Sequence, residues 1–135
     1  MGVVMESSTI ALFGEAEKGE FETGYLCHNL EQLVENLGNP PEFSRGLYYA
    51  IQTLLYKHDL LFFRVREEGF SFHDYLYGLQ LLDKQEVIRN ITALYIPGVG
   101  DSKIIQCMIP FCYSHHSILI TTESDFYDYI TDNTQ

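Results

Sequence analysis

Leu60-Leu61-Phe62-Phe63-Arg64-Val65-Arg66-Glu67-Glu68-Gly69-Phe70-Ser71-Phe72-His73-Asp74-Tyr75 is the passage on which the fold turns. Its first six residues are rich in aromatics and led by a continuous apolar run, the pattern of a strand covered on both faces. Gly69 ends the connection. Ser71 and Asp74 then stand at capping-box spacing, with Phe70 and Tyr75 at the two positions of a hydrophobic staple. Phe72, Tyr75, Leu76, Leu79 and Leu82 recur at helical spacing. A buried strand that passes within a few residues into an amphipathic helix is the first half of a strand–helix–strand crossover.

The same alternation extends in both directions. Upstream, Ile10-Ala11-Leu12-Phe13 is a second continuous run, followed by a polar, glycine-bearing stretch from Gly14 to Gly24 and a short strand at Tyr25-Leu26-Cys27. Asn29 is an N-cap for a helix with Leu30, Leu33, Val34 and Leu37 on one face and Gly38 at its end. Asn39-Pro40-Pro41 breaks the chain. Ser44 is expected to cap a helix whose inward face is Leu47, Tyr48, Ile51, Leu54, Leu55 and His58, with Phe43 and Tyr48 as its staple. Downstream, Ile91–Ile96 is a third main strand and Pro97-Gly98-Val99-Gly100 a turn. Asp101 or Ser102 caps a helix carrying Ile104, Ile105, Met108, Ile109 and Cys112, which Pro110 is expected to kink or shorten. Ser117–Thr121 is a further strand, and a last helix turns Phe126, Tyr129 and Ile130 inward.

This order predicts one α/β domain spanning residues 1–135, with loose ends at 1–8 and 131–135. The expected architecture is a compact three-layer Rossmann-like or flavodoxin-like domain with a mainly parallel sheet of about four to five strands.

Composition narrows the function classes. The formal net charge is −11, from 19 acidic against 8 basic residues. Such a surface repels phosphodiester backbones and anionic lipids, so neither nucleic acid nor membrane is an expected partner, whereas a basic protein is. No apolar run approaches the length of a membrane span. The start of the chain lacks the basic and apolar regions of a secretory signal, and the three cysteines, Cys27, Cys107 and Cys112, form no paired spacing. Both observations lead to the expectation of a cytoplasmic protein with free thiols. Weakly covered helix faces also leave room for a homodimer.

In a doubly wound sheet, ligands bind beyond the carboxyl ends of the strands. That rule selects Gly14 and Glu15 after the first strand, Arg66 after the second, Gly98, Gly100, Asp101 and Ser102 after the third, and Thr121 and Thr122 after the fourth. The Gly98–Ser102 loop is the best phosphate candidate, because glycines permit close approach and a helix start offers N–H donors to an anion. Arg66, alternating with Arg64, can reach the same anion or pair with a local carboxylate. Glu15, Glu67, Glu68, Asp101 and Glu123 can gather into an acidic pocket, yet carboxylates near any point are expected in so acidic a chain. No metal site and no resident cofactor are expected. No catalytic set can be assigned, and the chain leans towards a non-enzyme. Of its ten tyrosines, Tyr49, Tyr56 and Tyr77 do not fit these inward stripes well; they either face a protein interface, where exposed tyrosines are favoured, or cover the second layer of the sheet.

Tyr95-Ile96-Pro97-Gly98-Val99-Gly100-Asp101-Ser102 resembles the strand and glycine-rich loop of the lysine-decarboxylase-like LOG family, as do the later strand His116–Thr121 and the helix start Phe126-Tyr127-Asp128. The likeness implies a Rossmann-like nucleotide-binding fold and a ligand loop at Gly98 and Gly100. Catalysis is not implied: Val99 replaces the second glycine of the family's P-G-G-x-G-T-x-x-E pattern, the spacing is one residue short, and no glutamate follows Ser102 in register. Two functional expectations result. One is a regulatory module for a nucleotide or phosphorylated small molecule. The other is an acidic, immunity-like inhibitor or interaction protein for a basic partner. A carboxylate-based hydrolase ranks third.

Overall fold

A computed structural model describes residues 8–84 and 90–132. The strands are β1 (Thr9–Gly14), β2 (Gly24–Cys27), β3 (Asp59–Arg64), β4 (Ile91–Tyr95) and β5 (Ile118–Ile120). The helices are α1 (Leu30–Leu37), α2 (Gly46–Leu55), α3 (Phe72–Lys84), α4 (Ser102–His115) and α5 (Glu123–Thr131). The five strands form one sheet in the order β2-β3-β1-β4-β5, parallel throughout except for β2, which runs antiparallel to β3 at one edge. The expected α/β, three-layer, mainly parallel architecture is therefore what the chain adopts. The parallel strands alone follow the flavodoxin-like order, with the reversal of winding between β1 and β4.

Strand alternation divides the core in two. Ile10, Leu12, Leu60, Phe62, Ala93, Tyr95 and Ile120 face α1, α2 and α5. Ala11, Phe13, Leu61, Phe63, Leu94 and Ile96 face α3 and α4. Ile91 joins this second layer although it lies three residues from Leu94. The pairing explains it: Thr9 pairs with Ile91 but Ile10 with Ala93, so Thr92 is an extra residue that resets the alternation.

Several local expectations require correction. On α2 the buried residues are Gly46, Leu47, Tyr49, Ala50, Thr53 and Leu54, while Tyr48 and Leu55 are exposed. The helix packs with a rotation that the simple apolar stripe missed, because Ala50 and Gly46 allow close approach to the sheet. Neither staple forms, since Phe43 and Phe70 are 96% and 70% exposed. Ser44 does not cap α2; its hydroxyl donates to the Pro41 carbonyl and Arg45 holds the cap position. Asp74 likewise turns away from its expected capping box to Arg66. On α4, Phe111 is buried and Ile109 exposed, and the helix runs through Pro110 to His115. The N-cap of α1 is as expected, with Gln32 N–H donating to Asn29 Oδ1 at 2.9 Å.

The expected loose ends are in part tied down. Ser8 accepts a backbone hydrogen bond from Asp59 N–H, and Thr131 belongs to α5. Asp132 is the C-cap of α5, and 1–7 and 133–135 lie outside the described residues. Among the described residues no helix is long and apolar enough to cross a membrane.

Candidate functional site

The carboxyl edge of the sheet collects the loops after β1, β3, β4 and β5, and the winding reversal between β1 and β4 places the natural crevice there. At the end of β1, Gly14 lies against Gly46, the first residue of α2. A Cβ on Gly14 would sit 2.6 Å from the Gly46 Cα, and one on Gly46 would sit 2.5 Å from the Gly14 Cα. Only glycine at both positions permits this approach.

Glu68, from the loop after β3, reaches into the junction. One carboxylate oxygen accepts from Arg45 N–H at 2.9 Å. The other accepts from Gly46 N–H at 2.8 Å and Glu15 N–H at 2.8 Å. The contact is reciprocal, because Glu68 N–H donates to the Glu15 carboxylate at 3.0 Å. A helix start with converging backbone donors is a ready anion site. Here the chain's own carboxylate occupies it.

The neighbouring side of the crevice closes through backbone contact. Gly69 has φ +89°, and a Cβ there would collide with the Gly98 carbonyl oxygen. Gly69 N–H also donates to the Tyr75 hydroxyl at 2.7 Å, fixing the β3 loop across the end of β1. Of the two partners open to Arg66, an outside anion or a local carboxylate, it takes the second. Its guanidinium pairs with the buried Asp74 carboxylate, its N–H donates to the same group at 2.7 Å, and it lies 4.2 Å over the Phe21 ring. Arg64 stacks on the same ring at 4.3 Å.

The remaining candidates lie on the β4–β5 side. Gly98 has φ +79° and Gly100 an ordinary backbone, and a Cβ on either would meet nothing within 4 Å. Asp101 caps α4, its carboxylate accepting from Lys103 N–H at 2.8 Å, and Ser102 is the first residue of the helix. Thr122 caps α5 through Asp125 N–H at 3.2 Å, with Thr121 half-buried beside it. The structure thus joins Gly14 and Glu15 to Glu68 and brings Gly69 onto Gly98. It does not bring Arg66 or the two threonines to a common ligand position. Among the described residues no cluster of three or more potential metal-ligating side chains occurs.

One polar contact went unrecognised in the sequence. Tyr49 is buried against Tyr95 and Phe126, with ring centroids 5.5 and 5.8 Å away, and its hydroxyl donates to the Glu123 carboxylate. Burial first, and the Glu123 hydrogen bond second, hold the Tyr49 hydroxyl well above its ordinary ionisation range. Burial does the same for Tyr95, aided by Glu123. Beside them an open groove of about 510 Å³ runs between α2 and α5, lined by Tyr48, Tyr49, Gln52, Glu123, Ser124 and Tyr127. No signal in the sequence joins residue 49 to residue 123. Tyr49 fails the apolar stripe only because the wrong face of α2 is taken as inward.

Comparison with protein-family models, with curated proteins and with solved structures found no significant match.

Proposed function

We propose that this chain is a non-catalytic interaction module that binds a basic protein through the acidic carboxyl edge of its sheet. The observation that supports this reading is the Glu68 carboxylate in the anion cradle of α2. Asp101 on α4 has the same effect on a smaller scale. A phosphate approaching either helix start would meet a negative charge already holding the donors.

The same edge presents apolar anchors. Phe43 is 96% exposed and sits at φ +68°, a backbone conformation costly for a bulky L-residue. Phe70 is 70% exposed, and the Glu68 clamp holds its loop against that of Phe43. Exposed aromatics amid Glu42 and Glu67 match a partner that offers cations around an apolar pocket.

The test is capture of partners at low and high salt by the wild-type chain and by a Phe43→Asn, Phe70→Ser variant. The double variant keeps the net charge, and asparagine tolerates the left-handed backbone. Selective, salt-sensitive retention of a basic protein by the wild type alone supports the reading. Equal capture by both would reduce the attraction to net charge and sink it.

The nucleotide reading keeps one specific support. Gly100 has an ordinary backbone and open space, so the fold itself does not require glycine there. A rise in melting temperature with a nucleotide or sugar phosphate, abolished by Gly100→Val, would put that reading in first place.

A further inference from the structure

We propose that the groove between α2 and α5 receives a single arginine or lysine side chain, an inference that rests on the basic-partner reading above. Aromatic faces and a carboxylate at one wall are the chemistry that recognises an organic cation. The groove supplies both. Tyr48 and Tyr127 are each 52% exposed, and the Tyr48 ring stands edge-on to Tyr49 at 5.0 Å. Tyr48 and Gln52 are one turn apart on α2, and Ser124 and Tyr127 one turn apart on α5, so each pair faces the same side.

Glu123 is oriented for this role. Tyr49 donates to its Oε2, and because the Tyr49 hydroxyl stays protonated, that hold persists across the physiological range. The carboxylate is fixed on the wall of the groove while its residue remains exposed. Charge favours the same occupant. Neither α2 nor α5 carries a lysine or arginine, whereas α5 carries Glu123, Asp125 and Asp128. Arg45, just ahead of α2, acts electrostatically on Tyr49 and Tyr95 and is not among the residues that line the groove. A guanidinium or ammonium head on Glu123 would lay its aliphatic stem across Tyr48 and Tyr127, covering rings that otherwise face water.

The experiment is an NMR titration of the isotopically labelled chain at low ionic strength. The probe is a short capped peptide with one arginine among glycines and serines, and its control is the same peptide with citrulline. Saturable shifts at Tyr48, Gln52, Glu123, Ser124 and Tyr127 are expected with arginine and not with citrulline. Glu123→Gln keeps an acceptor for Tyr49 and should weaken binding about five- to tenfold. Tyr127→Ser, at an exposed ring, should weaken it by a similar factor. Shifts centred elsewhere, or equal affinity in Glu123→Gln, would overturn the proposal. The two readings separate cleanly. A captured basic partner that binds the Glu123→Gln, Tyr127→Ser variant as tightly as wild type refutes the groove and spares the edge. Groove shifts with the arginine peptide and no captured partner refute the edge and reassign the cation to a small free amine.

Discussion

At the end of β1, two glycines press backbone against backbone and a glutamate fills the space between three N–H groups. At the end of β4, a Cβ on Gly100 would meet nothing within 4 Å, and Gly100 is exposed although Val99 before it is buried. Both places offer a strand end, a glycine and a helix start, the elements that the crevice rule selects. The contrast teaches that a glycine at a strand end has two unrelated causes. One is close packing within the chain, and the other leaves the backbone open to something outside it.

That contrast can be broken from the sealed side first. Burial holds the Tyr75 hydroxyl above its ordinary 10.0, with Tyr49 and Tyr95 shifted in the same direction. Below pH 10 these tyrosines are protonated in both states, so their contribution is fully present. Above it the unfolded chain releases protons that the folded chain retains, and stability falls as pH rises. Between about pH 9 and pH 11 each tyrosine is expected to remove about 1.4 kcal/mol in all. Denaturant midpoints measured between about pH 9 and pH 11 check this, and a flat profile would deny the burial. Next in size is Glu68→Ala, which strands three N–H donors and should cost about 3 kcal/mol by urea unfolding. Gly46→Ala follows at about 2 kcal/mol, since its Cβ meets the Gly14 backbone. Gly100→Ala closes the series with a change within about 0.5 kcal/mol. Equal losses at Gly46 and Gly100 would erase the distinction between the two strand ends.

The sheet was legible because its signals are local. Ile10–Phe13 and Leu60–Val65 read as buried strands from composition alone, and Asn29 with Gln32 announced α1. The crevice rule selects the carboxyl edge, since it depends on topology rather than on any motif. The occupants of that edge were not legible. Glu68 was one acid among many, and nothing near it in sequence tells that its partners are the amides of Glu15, Arg45 and Gly46. For Arg66 a local carboxylate was an open alternative to an outside anion, but Asp74, eight residues on, was assigned to a helix cap and so was not named as the partner. Tyr48 and Tyr49 exchanged roles because a stripe of apolar residues does not fix the rotation of a short helix when small residues let another face approach more closely.

The Glu68 carboxylate behaves as a ligand tethered to its own receptor. Its effective concentration at the cradle is set by the β3 loop, and such tethers reach the millimolar range or above. An outside anion must therefore outcompete a rival that never diffuses away. Shortening that one side chain would turn a permanently occupied cradle into a vacant one, and added formate or phosphate would be expected to restore part of the stability lost. At the start of α2 the fold supplies its own carboxylate to N–H groups that would otherwise turn to water or an outside anion.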